Sequence, residues 1–220
     1  MSNDTVFIVG GGPSISSVEM RLLADKNTIG VNKSAFFVPN VNHFVTMDYT
    51  VIRKVGAPRI KSLKCSRHFV ANMSINYLRN VAGCITDVRS NFKYELLYDV
   101  FDSIIMCRRE DGMGISFNDF RCGNNSGYSA LQLAVVLGYT EIYLLGMDMN
   151  VQGARTHFHS GYREDPRVFV KRMGGYAQYF VRGIGELKQK LPDVNVYSCS
   201  EKSALNNVIP YVNVNEVLSK

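Results

Sequence analysis

Two histidines and a carboxylate share one short reach of this chain. Asp148 closes an apolar run, and His157 and His159 follow it in a polar loop. Alternation sets both imidazoles on one side if that loop is extended. Histidine is the side chain best suited to move a proton near neutral pH, so either could take the proton of an acceptor hydroxyl. Both together could instead bind a metal, but no third ligand stands at a convincing spacing. A structural or substrate-binding histidine is the plainer alternative. Arg155 and Arg163 flank the loop and could hold a phosphate or a carboxylate, or serve only as exposed charge. The candidates for chemistry are therefore His157, His159 and Asp148.

A second group could hold an anion. Gly10-Gly11-Gly12-Pro13-Ser14 follows an apolar run and precedes helical spacing. Glycine lets a ligand approach the backbone, and a helix start offers free N–H groups to an anion. The loop matches neither GxGxxG nor a Walker A pattern, so a tight strand-to-helix turn explains it equally well. Asn32 and Asp48 each end a strand-like run and would project near the same edge. Asparagine can read a base or a sugar hydroxyl, and aspartate can bind a ribose hydroxyl or a metal; both also serve in turns. Asn125, Ser126 and Gly127 open a further helix, as ligand contacts or as an ordinary cap. Two such helix starts favour a ligand with two ends to hold, such as a nucleotide joined to a second moiety.

The elements that must carry these residues alternate. Strands are expected at Thr5–Val9, Thr28–Val31, His43–Met47, Arg67–Ala71, Cys84–Val88, Ser103–Cys107, Glu141–Leu145 and Val194–Tyr197. Helices are expected at Ile15–Ala24 with Ser14 as N-cap, around Ile75–Val81, and at Ser126–Leu137 with Gly138 as its stop. Another runs from Pro166 to about Lys190, where Gly174, Gly175, Gly183 and Gly185 predict a kink or a break. The 108–123 stretch reads as loop, and Leu205–Val208 as a short helical turn. The class is α/β, a mostly parallel sheet flanked by helices and Rossmann-like. One domain over residues 1–220 is expected, with a small lid within 150–175.

Composition narrows the function classes. The 220 residues are 46% hydrophobic and 20% charged, an ordinary globular balance, with no apolar run long enough to span a membrane. The opening residues read as a first strand rather than a secretion signal, so a cytoplasmic protein is expected. Five scattered cysteines, without CxxC spacing, read as reduced thiols. A formal charge of +6 suits an anionic ligand. No basic stripe with interleaved aromatics marks a nucleic-acid surface, and DNA is a minor candidate as acceptor.

Taken in order, IVGGGPSI, GVNKSAFF, VTMDYT, NNSGYSALQLAVVLGYTEIYLLGMDM and THFHSG resemble two related groups. One is the family 42 sialyltransferases of bacteria, which transfer a sialic acid from CMP-sialate. The other is the archaeal hydroxymethylpterin diphosphokinase-like family, which shares its domain with motility accessory factors. LGYTEIYLLGMDM is the most specific block. The resemblance implies that Gly10, Gly11, Gly12, Pro13 and Ser14 approach the nucleotide phosphate and sugar. It also implies that Asn32 and Asp48 contact the nucleotide or donor, and that Asn125, Ser126 and Gly127 grip the donor. His157 is similar to the histidine of the TH pair in the pterin-kinase-like group. Sialyltransferases hold the leaving phosphate with two tyrosines; those positions fall near Asn150 and Thr156 here, and Tyr162 is the candidate substitute beside Arg155 and Arg163. The implied activity is a glycosyltransferase with a nucleotide-activated, perhaps CMP-linked, sugar and a histidine base, needing no metal or other cofactor. The implied fold is one Rossmann-like nucleotide-sugar-binding domain, a single-domain GT-A-like variant. A glycan acceptor and a homo-oligomer go with it. The alternatives are an ATP- and Mg²⁺-dependent diphosphokinase acting on a pterin-like alcohol, or a nucleotide-binding protein without catalysis.

Overall fold

The computed structural model describes residues 4–73, 101–108, 110–121, 123–151, 153, 155–158 and 165–219. Seven strands form one sheet: β1 (Thr5–Val9), β2 (Thr28–Val31), β3 (His43–Thr46), β4 (Arg67–Met73), β5 (Ser103–Cys107), β6 (Glu141–Leu145) and β7 (Asn195–Ser198). Their order is β5-β4-β3-β2-β1-β6-β7, and every described pairing is parallel. The chain lays strands outward from β1 on one side, then returns to place β6 and β7 on the other. The order therefore reverses between β1 and β6. The expected helix around Ile75–Val81 and strand Cys84–Val88 lie outside the described residues.

The apolar run of β1 reflects burial on both faces. Val6 and Ile8 pack into one core cluster, Phe7 and Val9 into another, and all four are fully buried. Burying each such side chain contributes about 1.5–3 kcal/mol. The first face is covered by α3 (Ser126–Val136) and α4 (Pro166–Lys190), through Leu131, Phe180 and Ile184 among others. The second is covered by the turns after β1 and β2, by α1 (Tyr49–Val55) and α2 (Ala57–Lys61), and by α5 (Val214–Leu218). Among the described residues no helix is long and apolar enough to cross a membrane.

Two expectations need correction. Ile15–Ala24 is not an α-helix but two 3₁₀ turns, Pro13–Ser17 and Met20–Leu23. Ser14 does not cap them; its N–H and hydroxyl both donate to Asp148. Ser17 Oγ donates to the Ser14 carbonyl at 2.7 Å, so side chains compete for the groups an α-helix would use. By contrast, α4 runs unbroken for 25 residues despite its glycines. Asp165 caps it by accepting from Arg167 N at 2.7 Å, and Phe169, Phe180, Ile184 and Leu187 anchor one face. Gly183 has a packing reason, because a Cβ there would strike the Tyr128 ring.

His43 gives the sheet a pH dependence. It stands in β3 between Ile29 and Arg67, edge-on to Phe69 at 5.8 Å, with Nδ1 buried and unpartnered. Burial, then the Arg67 charge, lowers its pKa below the usual 6.5. The unfolded chain therefore binds the proton more readily, so the neutral ring stabilises the fold above pH 6.5 and that contribution is lost as pH falls through the depressed value. The melting temperature of His43→Phe is expected to fall less between about pH 7 and pH 5 than that of the parent. An equal fall in both proteins would remove His43 as a cause.

Candidate functional site

A groove of about 570 Å³ runs over the carboxyl ends of β1, β2, β3 and β6. It includes the place where the strand order reverses, at which open α/β sheets bind ligands. Gly10, Gly11 and Gly12 follow β1, Asn32 follows β2, and Asp48 follows β3; all line the groove. So do Asn125, Ser126 and Gly127 at the start of α3, Asp148 after β6, and His157 in the loop beyond. Segments far apart in the sequence thus meet at one edge of the sheet.

The floor is built by close backbone contact. Gly10 N donates to Leu145 O at 2.7 Å, and Gly12 N to Gly146 O at 2.8 Å. A Cβ on Gly10 would lie 2.6 Å from the Gly146 carbonyl, and one on Gly12 would lie 2.6 Å from Asp148 Cγ. The crossing of the two loops accordingly requires glycine. Asp148 is buried and its two oxygens accept from Ser14, with Ser14 N at 2.8 Å from Oδ2. A carboxylate held this way fixes the loop's curvature.

Side chains named from the sequence divide between bracing and lining. Asn125 Oδ1 accepts from Tyr128 N at 2.7 Å, a helix cap, and its Nδ2 donates to Gly123 O at 2.7 Å. Ser126 Oγ accepts from Met47 N at 3.0 Å and ties α3 to β3. Asn32 Oδ1 accepts from Thr46 Oγ1 at 2.7 Å. These contacts aim the amino end of α3, itself almost wholly buried, into the groove. Its free amides and dipole favour a negative group there. Asn32, Asn124 and Met149 are the non-glycine residues with left-handed backbones among those described, at φ 53°, 50° and 49°. All three line the groove. Such conformations cost about 1–3 kcal/mol each and gather at functional sites, asparagine tolerating them best.

His157 is half-buried over the glycine loop. Phe158 N donates to Gly11 O at 3.1 Å and pins the loop to the end of β1. The imidazole stands edge-on to Phe169 of α4 at 5.3 Å, with Nδ1 3.1 Å from Thr156 Oγ1. His159, Tyr162 and Arg163 lie outside the described residues. Arg155 is exposed and is not among the groove's described lining residues. Pro13 and Ser14 are behind the glycines rather than among the described lining.

Several lining residues are not found by reading the sequence. Lys33 and Arg172 bring cations to the groove, and Met173 and Tyr176 face it from α4. Helical spacing places the last two in the core, and nothing local distinguishes a groove-facing aromatic from a buried one. Gly146, at φ 63°, is signalled only by its place after an apolar strand. Among the described residues no group of three or more His, Cys, Asp or Glu could hold a metal ion.

No family model matches the chain. One similar protein is the "Probable 3-deoxy-manno-octulosonic acid transferase" of Escherichia coli (strain K12). It is 20% identical over 245 residues, covering 98% of this chain and 84% of that protein. Among solved structures, the sialyltransferase CST-II in complex with trisaccharide acceptor and CMP aligns with a TM-score of 0.48 and 15% identity, over 94% of this chain and 85% of the other. The alpha-2,3-sialyltransferase from Campylobacter jejuni in apo form aligns at 0.46 and 17%, over 98% and 83%.

Proposed function

We propose that this chain is a glycosyltransferase that uses a nucleotide-linked sugar, with CMP as the favoured nucleotide and a glycan hydroxyl as acceptor. One observation carries the reading: an imidazole stands over a glycine floor at the switch point of the sheet, Gly11 lying beneath His157. The transferase from E. coli at 20% identity supports the reaction class.

The chemistry follows from the placement. Gly10 N and Gly12 N already donate to Leu145 O and Gly146 O, so the nucleotide phosphate rests against Gly11 and the first amides of α3. His157 takes the proton of the acceptor hydroxyl as its oxygen bonds to the anomeric carbon. The bond from that carbon to the phosphate oxygen breaks, and the phosphate leaves with the electron pair. Lys33 and Arg172 line the same groove and stabilise the departing charge, the task given to two tyrosines in the resembling family. Asp148, engaged on both oxygens by Ser14, acts as a positioning residue. That engagement also weakens the diphosphokinase reading, which needs Asp148 beside Asp48 as a carboxylate for Mg²⁺.

Thermal unfolding against CMP, UMP, AMP, GMP and ATP, with Mg²⁺ and with EDTA, tests the donor. A nucleotide at about 100 times its dissociation constant adds about 2.7 kcal/mol. For a chain of this length that is a rise of roughly 5–10 °C. A rise with CMP that survives EDTA is expected. A rise with ATP that needs Mg²⁺ would move the assignment to diphosphoryl transfer, and no rise at all would remove the nucleotide.

A further inference from the structure

A second groove, of about 680 Å³, opens off the first along α4. The two share Asn124, Arg172 and Tyr176, so they adjoin. Lys171, Gly175 and Arg182 lie along one side of the helix and line the new groove. At about 1.5 Å per residue, Lys171 to Arg182 spans roughly 16 Å, the reach of a short oligosaccharide rather than a single sugar.

The lining has a definite chemistry. Lys171, Arg172 and Arg182 bring three positive charges, and no carboxylate is among the described lining residues. Asp111 pairs with Arg182 from outside the groove. Tyr179 is fixed from two sides: Asn124 Nδ2 donates to its hydroxyl at 2.6 Å, and the Tyr128 ring packs 6.4 Å away. A ring held in place offers a flat apolar surface at little entropic cost. A Cβ on Gly175 would meet nothing within 4 Å, so packing does not explain glycine there; it leaves helix backbone open at the middle of the groove. Exposed Val168 lines the groove as well and gives it apolar surface beside the charges.

We infer that this groove is the acceptor subsite and that it takes a sugar chain carrying an anionic group, a carboxylate or a phosphate. The word acceptor rests on the glycosyltransfer reading above; the binding of anionic sugar does not.

Calorimetric titration of the full chain separates the two. Trigalacturonate, 6-phosphomaltotriose, neutral maltotriose and a six-residue oligothymidylate are each titrated, and CMP is titrated in parallel. At least one anionic trisaccharide is expected to bind about ten times more tightly than maltotriose, and the tighter of the two names the anion. Exposed Lys171 can change without disturbing the fold, and Lys171→Glu is expected to weaken that binding about tenfold while leaving CMP affinity as it was. Equal affinity for neutral and anionic sugars, indifference to Lys171→Glu, or tighter binding of the oligothymidylate would each overturn the proposal. Anionic sugar bound by a protein that ignores CMP would keep the groove and discard the donor reading.

Discussion

His157→Ala is expected to lower the single-turnover rate of sugar transfer by about 10²–10⁴-fold, the usual contribution of a positioned general base. Affinity for CMP should stay nearly unchanged. The separation follows from where the imidazole sits. The nucleotide is held at Gly11 and at the first amides of α3, which the substitution leaves in place. The ring itself meets the groove through its edge, between Phe169 and the glycine loop. A loss confined to the chemical step is the signature of an interaction made in the transition state alone. The check is a single-turnover assay with a CMP-linked sugar, paired with a CMP titration of the same variant. A rate within about tenfold of the parent would take His157 out of the mechanism. A matching loss in His159→Ala alone would pass the role to that residue.

Much of the fold was legible because burial on both faces leaves a plain trace. Thr5–Val9 reads as a continuous apolar run and Glu141–Leu145 as a buried strand, and these are the strands that flank the switch point. The start of α3 was legible for a related reason: Asn125 is a cap by residue type, and it caps. The 3₁₀ turns after β1 were not, since their cause is a carboxylate 134 residues away drawing the Ser14 amide and hydroxyl. Continuity of α4 was hidden in the same manner. Four glycines argue against a long helix locally, and only tertiary packing on Phe169, Phe180, Ile184 and Leu187 outweighs them.

Site residues follow the same division. Those that end strands were named because the carboxyl edge of a parallel sheet is a known address, and the structure places them along the groove. Those presented by the side of a helix were not. Arg172 and Tyr176 join the two grooves, yet their spacing is what any amphipathic helix shows. Asn32 and Asn124 carried a faint signal, as asparagine is the residue that most readily adopts left-handed backbone outside glycine. Met149 carried none.

The glycine loop allows fold and function to be pulled apart within two neighbouring residues. Gly10→Ala should destabilise the protein by about 1–3 kcal/mol, the usual cost of overpacking, and lower the melting temperature by several degrees. Its Cβ would meet the Gly146 carbonyl at 2.6 Å and Met147 Cε at 2.9 Å. The side chain of Met147 can yield; the carbonyl cannot, because Gly12 N binds it and β1 is laddered to β6 just before. Gly11→Ala should behave in the opposite way. Its Cβ would make only an ordinary contact, 3.5 Å from His157 Cδ2, and the residue has no left-handed backbone to strain. The melting temperature should hold, helped by the smaller entropy of an unfolded chain with alanine in place of glycine. Yet the added methyl would stand where Gly11 meets the phosphate, so CMP binding should be lost. Melting curves and CMP titrations of both variants decide the matter. A Gly11→Ala protein that binds CMP like its parent would mean that the loop serves the fold alone, and that the phosphate is held elsewhere in the groove.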